Sequence, residues 1–405
     1  MQSHNTYNSD ESLIIEPAYY SEGNIPIFKP TMQQFNNNFY QFNKAINKYG
    51  MSSGIVKIIP PKEWKYQINK FYTNDNLINN IIIKNPIIQH INQILPGIYQ
   101  QQNIERQRKY NIYQWKHLSD NYKPPNPKRR HSQSQSQLPD EQSSQSQSQQ
   151  SAQHEPSSPT RKLRPHHHPI PEYTIDTSEF NNDERCKELE SIYWKSLTYS
   201  EPMYGADMLG SLFPHNFKSW NIAQLPNILD LMDNKIPGVN DAYLYAGLWK
   251  ATFAWHLEDQ DLYSINYIHF GAPKQWYSIP QHHQQKFFEF MKDTFNEDYL
   301  KCHEFLRHKT FLVSPALLRK NGIDVNHIIH REGEFIITYP YGYHAGFNYG
   351  YNLAESVNFA LDDWFEFGKI ASKCECISDS VAININQLMS KYYGTRILNN
   401  RGGCS

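Results

Sequence analysis

The chain has 405 residues, with 39 Lys+Arg against 40 Asp+Glu and a formal net charge of −1. At roughly 150 residues per domain this is two to three domains' worth of chain, enough to bury a sizeable core. Mean hydropathy is −0.72 and no run approaches the roughly 18 apolar residues of a membrane span, so a transmembrane protein is excluded, as is a coat of nucleic acid held by net charge alone.

The opening MQSHNTYNSDES lacks a basic segment followed by an apolar run, and five cysteines make no disulfide framework. A reducing, intracellular setting is therefore expected. Residues 1–23 read as a disordered tail. Residues 24–65 read strand, helix, strand: Ile25–Phe28, then Phe35, Phe39, Phe42 and Ile46 at helical spacing behind Thr31 as N-cap, then Ile55–Ile59. Pro60-Pro61 stops the second strand, and Trp64 follows. Residues 66–123 read as a mixed linker domain.

From Ser132 to Gln153, 17 of 22 residues are Ser or Gln, with proline clusters on both sides. Such a segment cannot bury enough apolar surface to offset its chain entropy, so 124–170 reads as a disordered insert. Its basic ends, Lys128-Arg129-Arg130 and Arg161-Lys162-x-Arg164, suit either nuclear import or the solvation of a loop. His166, His167 and His168 read as a chance run. The insert carries +3, which leaves −4 on the other 358 residues. Within 171–203, residues 185–198 have helical periodicity and are expected to pack on the core that follows. Beyond residue 203 come aromatic and β-branched runs broken by Gly and Pro, namely Tyr243–Trp249, Thr252–Trp255, Leu262–Phe270, Trp276–Ile279, Phe335–Tyr339 and Ala354–Phe359. Short strands at this spacing predict a mainly β barrel or sandwich with surrounding helices.

The chemistry centres on Phe253-Ala-Trp-His256-Leu-Glu258. On a strand, residues i and i+2 share a face, so His256 and Glu258 reach one metal ion together. The bare pattern is weak: chance alone predicts about two His-x-Asp/Glu pairs in such a chain. Two occur, and the other is His330/Glu332. A third ligand stands in Tyr339-Pro-Tyr-Gly-Tyr-His344, after a Gly-containing turn. Two His and one carboxylate form the facial triad of non-haem Fe(II) oxygenases, although Zn, Mn and Ni accept the same donors. Lys274, after the Gly271-Ala-Pro273 turn, is costly inside a barrel unless it meets an anion. It is either a solvated strand-end residue or the counter-charge of a chelated dicarboxylate. A second donor set, Cys302-x5-His308 with Cys374-x-Cys376, suits a closed zinc site, with free thiols and His303 as the competing reading.

Taken together, His256-x-Glu258, Asn266, Gly-x-Pro-Lys274-x-Trp276 and Tyr-Gly-Tyr-His344-x-Gly-Phe-Asn resemble the JmjC domain of Fe(II)/2-oxoglutarate-dependent histone lysine demethylases. Pro-Thr-Met-x-x-Phe and the Ile-x-Pro-Pro-Lys-Glu-Trp64 ending resemble the JmjN element. The pairing is similar to the JmjN–JmjC enzymes that act on tri- and dimethylated lysine 9 and lysine 36 of histone H3. The resemblance implies a double-stranded β-helix, a jelly-roll, cupin-like barrel over 204–372, with JmjN at 24–65 and a zinc-tethered segment at 373–405.

It also implies roles. His256, Glu258 and His344 hold iron. Tyr204 and Lys274 bind the distal carboxylate of 2-oxoglutarate, beside Asn266, between walls of Phe253 and Trp276. Asp207, Gly238, Tyr243, Tyr245, Glu258, Lys309, Ser356 and Asn358 line the place of the methylated lysine. Cys302, His308, Cys374 and Cys376 hold a structural Zn(II). The implied reaction is N-methyl hydroxylation with release of formaldehyde and succinate. Implied partners are the histone H3 tail and the nucleosome, with DNA contact through the basic insert, in a nuclear monomer away from membranes. A JmjC protein hydroxylase and a non-catalytic chromatin-bound repressor are the alternatives. Fungal relatives often carry C2H2 fingers downstream; none is present here, so either the chain is a catalytic piece or a partner supplies targeting. Cys186 and Cys404 receive no role.

Overall fold

In the computed structural model the described residues are 14–36, 38–73, 75–127, 170–374, 376 and 381–401. The Ser/Gln tract, both basic clusters, His166–His168 and Cys404 lie outside them. Strands β1 (Tyr19–Tyr20), β2 (Pro26–Phe28) and β3 (Ile55–Ile58) come first. Then follow β4 (Ile82–Lys84), a long hairpin of β5 (Ile87–Leu95) and β6 (Ile98–Glu105), and β7 (Lys109–Asn111). After a helix at Asp183–Ser196 come β8 (Met203–Leu209), β9 (Tyr243–Gly247), β10 (Thr252–His256), β11 (Tyr263–Gly271) and β12 (Lys274–Ser278). The series closes with β13 (Phe311–Val313), β14 (Asn326–His330), β15 (Phe335–Thr338), β16 (His344–Asn348) and β17 (Asn352–Phe359).

Eleven strands form one sheet in the order β1-β2-β3-β15-β11-β17-β9-β8-β5-β6-β13, and four form a second, β10-β16-β12-β14. The two sheets make the mainly β, cupin-like jelly roll, with helices packed outside it. All nine residues of β11 are buried, because one face lines the barrel interior and the other is covered by the N-terminal helices. No helix among the described residues is long and apolar enough to cross a membrane.

The single helix expected behind Thr31 is two helices. Thr31 and Gln34 cap the first, Met32–Asn36, reciprocally, each backbone N–H donating to the other's side-chain oxygen. Asn38 caps the second, Phe39–Ser53, whose Phe39, Phe42 and Ile46 form its buried stripe. Phe35 stacks on Trp220 at 4.3 Å and meets Trp64 edge-on. Residues 14–23 also depart from the expected disordered tail. Tyr19 and Tyr20 pair with Ile27 and Pro26, and Ile15 joins the buried core, so edge pairing and one apolar anchor order the segment. The Asp183–Ser196 helix packs on the barrel through Tyr193, stacked on Phe347 of β16 at 3.8 Å.

The N-terminal element is part of the main sheet, since β3 pairs with β15 along its whole length. A buried ion pair pins that junction: Lys57 Nζ lies 2.7 Å from Glu334 and donates to the Ile329 carbonyl at 2.9 Å. Removing one member leaves the other charge buried and unpaired. Lys57→Met is therefore expected to lower the unfolding free energy by about 3 kcal/mol, and Lys57→Met with Glu334→Leu to recover most of it, as measured by chemical denaturation. A single variant as stable as wild type would remove the pair from the junction.

Candidate active site

His256 ends β10, His344 opens β16, and the antiparallel register sets the two opposite each other. The strand stops before Glu258, but the backbone there stays extended (φ −68°, ψ 156°), so the i, i+2 geometry carries past the strand end. One donor atom each from His256, Glu258 and His344 lies within 4.8 Å of the others. His256 Nδ1 contacts the Ala254 carbonyl at 2.7 Å, and His344 Nδ1 contacts the Gly342 carbonyl at 2.9 Å. A carbonyl oxygen only accepts, so Nδ1 carries a proton in both rings and Nε2 is the atom each ring turns to the cavity, that of His344 lying 3.4 Å from Glu258 Oε1. Burial, reinforced by His344 and Lys309, pushes the His256 pKa well below its usual value and keeps the ring neutral. Burial opposes ionisation of Glu258, but the neighbouring His344 and the charge of Lys309 outweigh it and hold the carboxyl well below its usual range. Asn358 Nδ2 donates to the Glu258 carboxylate at 3.1 Å and fixes its plane. The donor set fits a divalent transition metal with open positions.

These three residues line a cavity of about 430 Å³. Alternation along β11, β17 and β9 turns Ser264, Asn266, Ser356, Asn358, Tyr243 and Tyr245 to the same interior, with Asn266 opposite Ser356 and Ser356 opposite Tyr243. Lys274, first residue of β12, is 1% exposed and its Nζ donates to the Tyr204 hydroxyl at 3.1 Å. Burial pushes its pKa down to about 7, with no acidic neighbour to oppose it. The Asn266 carboxamide keeps a buried Oδ1 without a partner. A buried ammonium with a hydroxyl for company is what a site for an anionic ligand looks like when built from one side, while the Asn266 oxygen, an acceptor, asks for a donor. Phe253 and Trp276 wall it, their rings 4.7 Å apart.

Every residue expected at the iron, cosubstrate and lysine positions, including Asp207, Gly238 and Lys309, lines this one cavity. Gly238 is required by its backbone, with φ at +74° and the Tyr243 ring 2.4 Å from where a Cβ would stand. Tyr245 donates to Asp207 at 3.1 Å. Asp259, Glu258 and Asp207 outweigh burial at Lys309 and hold its pKa above the usual value. Gln89, Gln101 and Asn103 also line the cavity, and sequence reasoning missed them. The signal was the Pro96-Gly97 turn of a polar hairpin. The other His-x-Glu pair does ordinary structural work: His330 accepts from the Trp276 indole at 3.3 Å, and Glu332 accepts from the Gly271 N–H at 2.9 Å.

Cys302, His308, Cys374 and Cys376 form a second cluster with donor atoms within 4.8 Å. Cys302 and Cys374 sulfurs are 3.6 Å apart, and His308 Nε2 is 3.2 Å from Cys374 Sγ. Three sulfurs and one nitrogen match a closed tetrahedral zinc site. A third group, His282, His283 and Asp324, is largely exposed.

Family comparison gives two matches, a "JmjC domain, hydroxylase" over 243–359 and a "jmjN domain" over 26–60. The chain is 36% identical over 367 residues to lysine-specific demethylase 4D of Rattus norvegicus, covering 89% of this chain and 60% of that protein. It is 37% identical to probable lysine-specific demethylase 4F of Homo sapiens (87% and 46%) and to lysine-specific demethylase 4B of Mus musculus (89% and 28%). The chain thus spans between about a quarter and three-fifths of the length of these relatives. Barrel, triad and N-terminal element together make this chain a JmjN/JmjC protein.

Proposed function

We propose that this chain is a histone lysine demethylase, removing methyl groups from tri- and dimethylated lysine 36 and/or lysine 9 of histone H3 in the nucleus. The observation that carries the reading is the cavity, in which a two-His, one-carboxylate face and an otherwise unbalanced buried lysine point at the same space. The printed names of the relatives support the substrate class.

His256, Glu258 and His344 would hold Fe(II), and Lys274 with Tyr204 would hold the far carboxylate of 2-oxoglutarate beside Asn266. With the metal and 2-oxoglutarate bound, O2 would be the oxidant: one oxygen atom would hydroxylate an N-methyl group, which then leaves as formaldehyde, and the other would enter succinate as 2-oxoglutarate loses CO2. The chain's own work is placement. The two Nδ1–carbonyl hydrogen bonds aim the imidazoles. Asn358 orients the Glu258 carboxylate. Phe253 and Trp276 keep water from the cosubstrate end. Tyr243, Tyr245, Ser356 and Asn358 present oxygens to a methylated ammonium, and Asp207 and Glu258 add the negative charge a cation prefers. The histone H3 tail and nucleosome are the proposed partners. The Cys/His cluster is read as a structural zinc site that ties residues 374 and 376 back to the barrel.

Mass spectrometry of H3 peptides trimethylated at lysine 36 or lysine 9, incubated with Fe(II) and 2-oxoglutarate, tests the activity. Loss of methyl groups with formaldehyde release is expected, more readily at lysine 36, and His256→Ala abolishes both while the fold persists. Turnover by His256→Ala equal to wild type would falsify the triad. Lys274→Ala is expected to raise the 2-oxoglutarate KM roughly 10- to 100-fold, the worth of a charge-assisted bond. The sign of the pH dependence follows from the lowered lysine pKa. Below about 7 the Lys274 amine is already cationic, and above it a proton must be taken up for the anion to bind. Affinity for 2-oxoglutarate accordingly falls as pH rises from 7 to 9, by up to about tenfold per unit; a flat calorimetric profile contradicts this. Elemental analysis should find zinc at one per chain, lost in Cys374→Ala with a lower Tm, and zinc-free wild-type protein rules the site out.

A further inference from the structure

Glu258 is not held by a strand. It opens a turn in which two residues with side chains, Gln260 (φ 52°) and Asp261 (φ 50°), are both left-handed. Such backbone is disfavoured for L residues and persists only where the surroundings over-determine it. Two side chains do so here. The Trp364 indole donates to the Gln260 carbonyl at 2.9 Å. Arg307 does more: Nη1 donates to the Glu258 carbonyl at 2.7 Å, Nη2 to Asp261 Oδ1 at 2.9 Å, and Nε to Glu304 Oε2 at 2.8 Å. The Arg307 and Asp261 side chains are 8% and 3% exposed, so this planar fork is shielded from water and geometrically exacting.

Arg307 is itself anchored by its place in the chain. It immediately precedes His308 in the short helical turn Phe305–His308, and Cys302 lies just before that turn. The other two donors of the cluster, Cys374 and Cys376, come from beyond the last barrel strand. A short and largely rigid path therefore runs from the Cys/His cluster, through one guanidinium, to the backbone of the carboxylate ligand.

We propose that Arg307 is a positioning residue that transmits the fixed geometry of the Cys/His cluster to Glu258, so that closing the cluster sets the bite of the metal-binding face. This rests on reading His256, Glu258 and His344 as a metal site. Arg307 touches neither metal, yet its removal loosens metal at the triad.

Mn(II) is the probe, because it prefers oxygen and nitrogen donors to thiolates, and it is titrated into iron-free, zinc-replete full-length chain under electron paramagnetic resonance. Wild type takes up Mn(II) and His256→Ala does not; failure of that control overturns the triad reading and the coupling together. Arg307→Ala is expected to weaken Mn(II) by about 10- to 100-fold and to change the zero-field splitting of the bound ion, with zinc content unchanged. Arg307→Lys keeps the charge, loses the fork, and falls between. Asp261→Asn is the milder variant should Arg307→Ala not fold, with a shift in the same direction. Cys376→Ala weakens Mn(II) in the wild-type background and adds nothing in Arg307→Ala. Folded, zinc-bound Arg307→Ala or Asp261→Asn with wild-type affinity and spectrum overturns the proposal, as does full additivity of Cys376→Ala with Arg307→Ala.

Discussion

The register between β10 and β16 is the constraint on which the site depends. Phe253 lies opposite Gly346 and His256 opposite His344, so three steps on one strand match two on the other. That extra residue is a bulge, and it re-aims the strand. Without it, Phe253 and His256, an odd number apart, would face opposite sides of the sheet. With it, both line the cavity. The same strand fixes its other neighbour: β16 sets Asn348 opposite Lys274 and His344 opposite Ser278, so Lys274 and Trp276 alternate onto the interior face with the two histidines. Gly346 makes the close approach possible. A Cβ there would stand 2.0 Å from the Gln275 carbonyl and 2.4 Å from the Phe253 ring.

Charge sorts what this register assembles. At one end Lys274 and Tyr204 form a cationic, hydroxyl-bearing corner without an internal anion. At the other, Glu258, Asp207 and Asp259 stand near Lys309 in an oxygen-lined region. On the proposed function, a dicarboxylate and a cationic side chain would be directed to different ends of one cavity, and neither would gain by occupying the other's place. The Lys274 corner costs folding stability, because an ammonium is desolvated there with little return from within the chain. Departures of this kind from good packing practice are typical of functional sites.

What the sequence disclosed, and what it withheld, follows from where the information lies. His256-x-Glu258 was readable because strand periodicity is local, and Lys274 because a lysine after an apolar turn asks for an anion. The Thr31 cap was legible too, but the break between the Met32–Asn36 and Phe39–Ser53 helices was not, since Phe35, Phe39 and Phe42 keep helical spacing across it. Strand β16, His344-Ala-Gly-Phe-Asn, has no β-branched residue and owes its conformation to pairing on both sides. The β5–β6 hairpin inverts the usual pattern, burying Gln89 and Gln101 while Ile94, Leu95 and Ile104 are exposed, so hydrophobicity points to the wrong residues. The left-handed pair Gln260 and Asp261 has no sequence signal at all. It is dictated by Arg307 and Trp364, 46 and 104 positions away.

The N-terminal element shows how far such distant dictation extends. β3 covers β15, which would otherwise be an exposed edge, and β15 in turn pairs with β11, the strand that carries Ser264 and Asn266. The end of the Phe39–Ser53 helix then reaches the strands that flank His344. The Ser53 carbonyl accepts from Ser278 Oγ at 2.8 Å and from Asn326 Nδ2 at 3.1 Å, and the Gly54 carbonyl accepts from the Tyr339 N–H at 3.1 Å. A Cβ on Gly342 would stand 2.5 Å from that Gly54 carbonyl, so the two glycines are in close backbone contact. Gly342 is also the residue whose carbonyl fixes the tautomer and tilt of His344. The N-terminal unit, two helices between β2 and β3, is therefore a wall of the barrel and a brace behind one of its histidines. Deleting it removes a sheet neighbour and the support of a ligand in one step, which makes it inseparable from the chemistry it flanks.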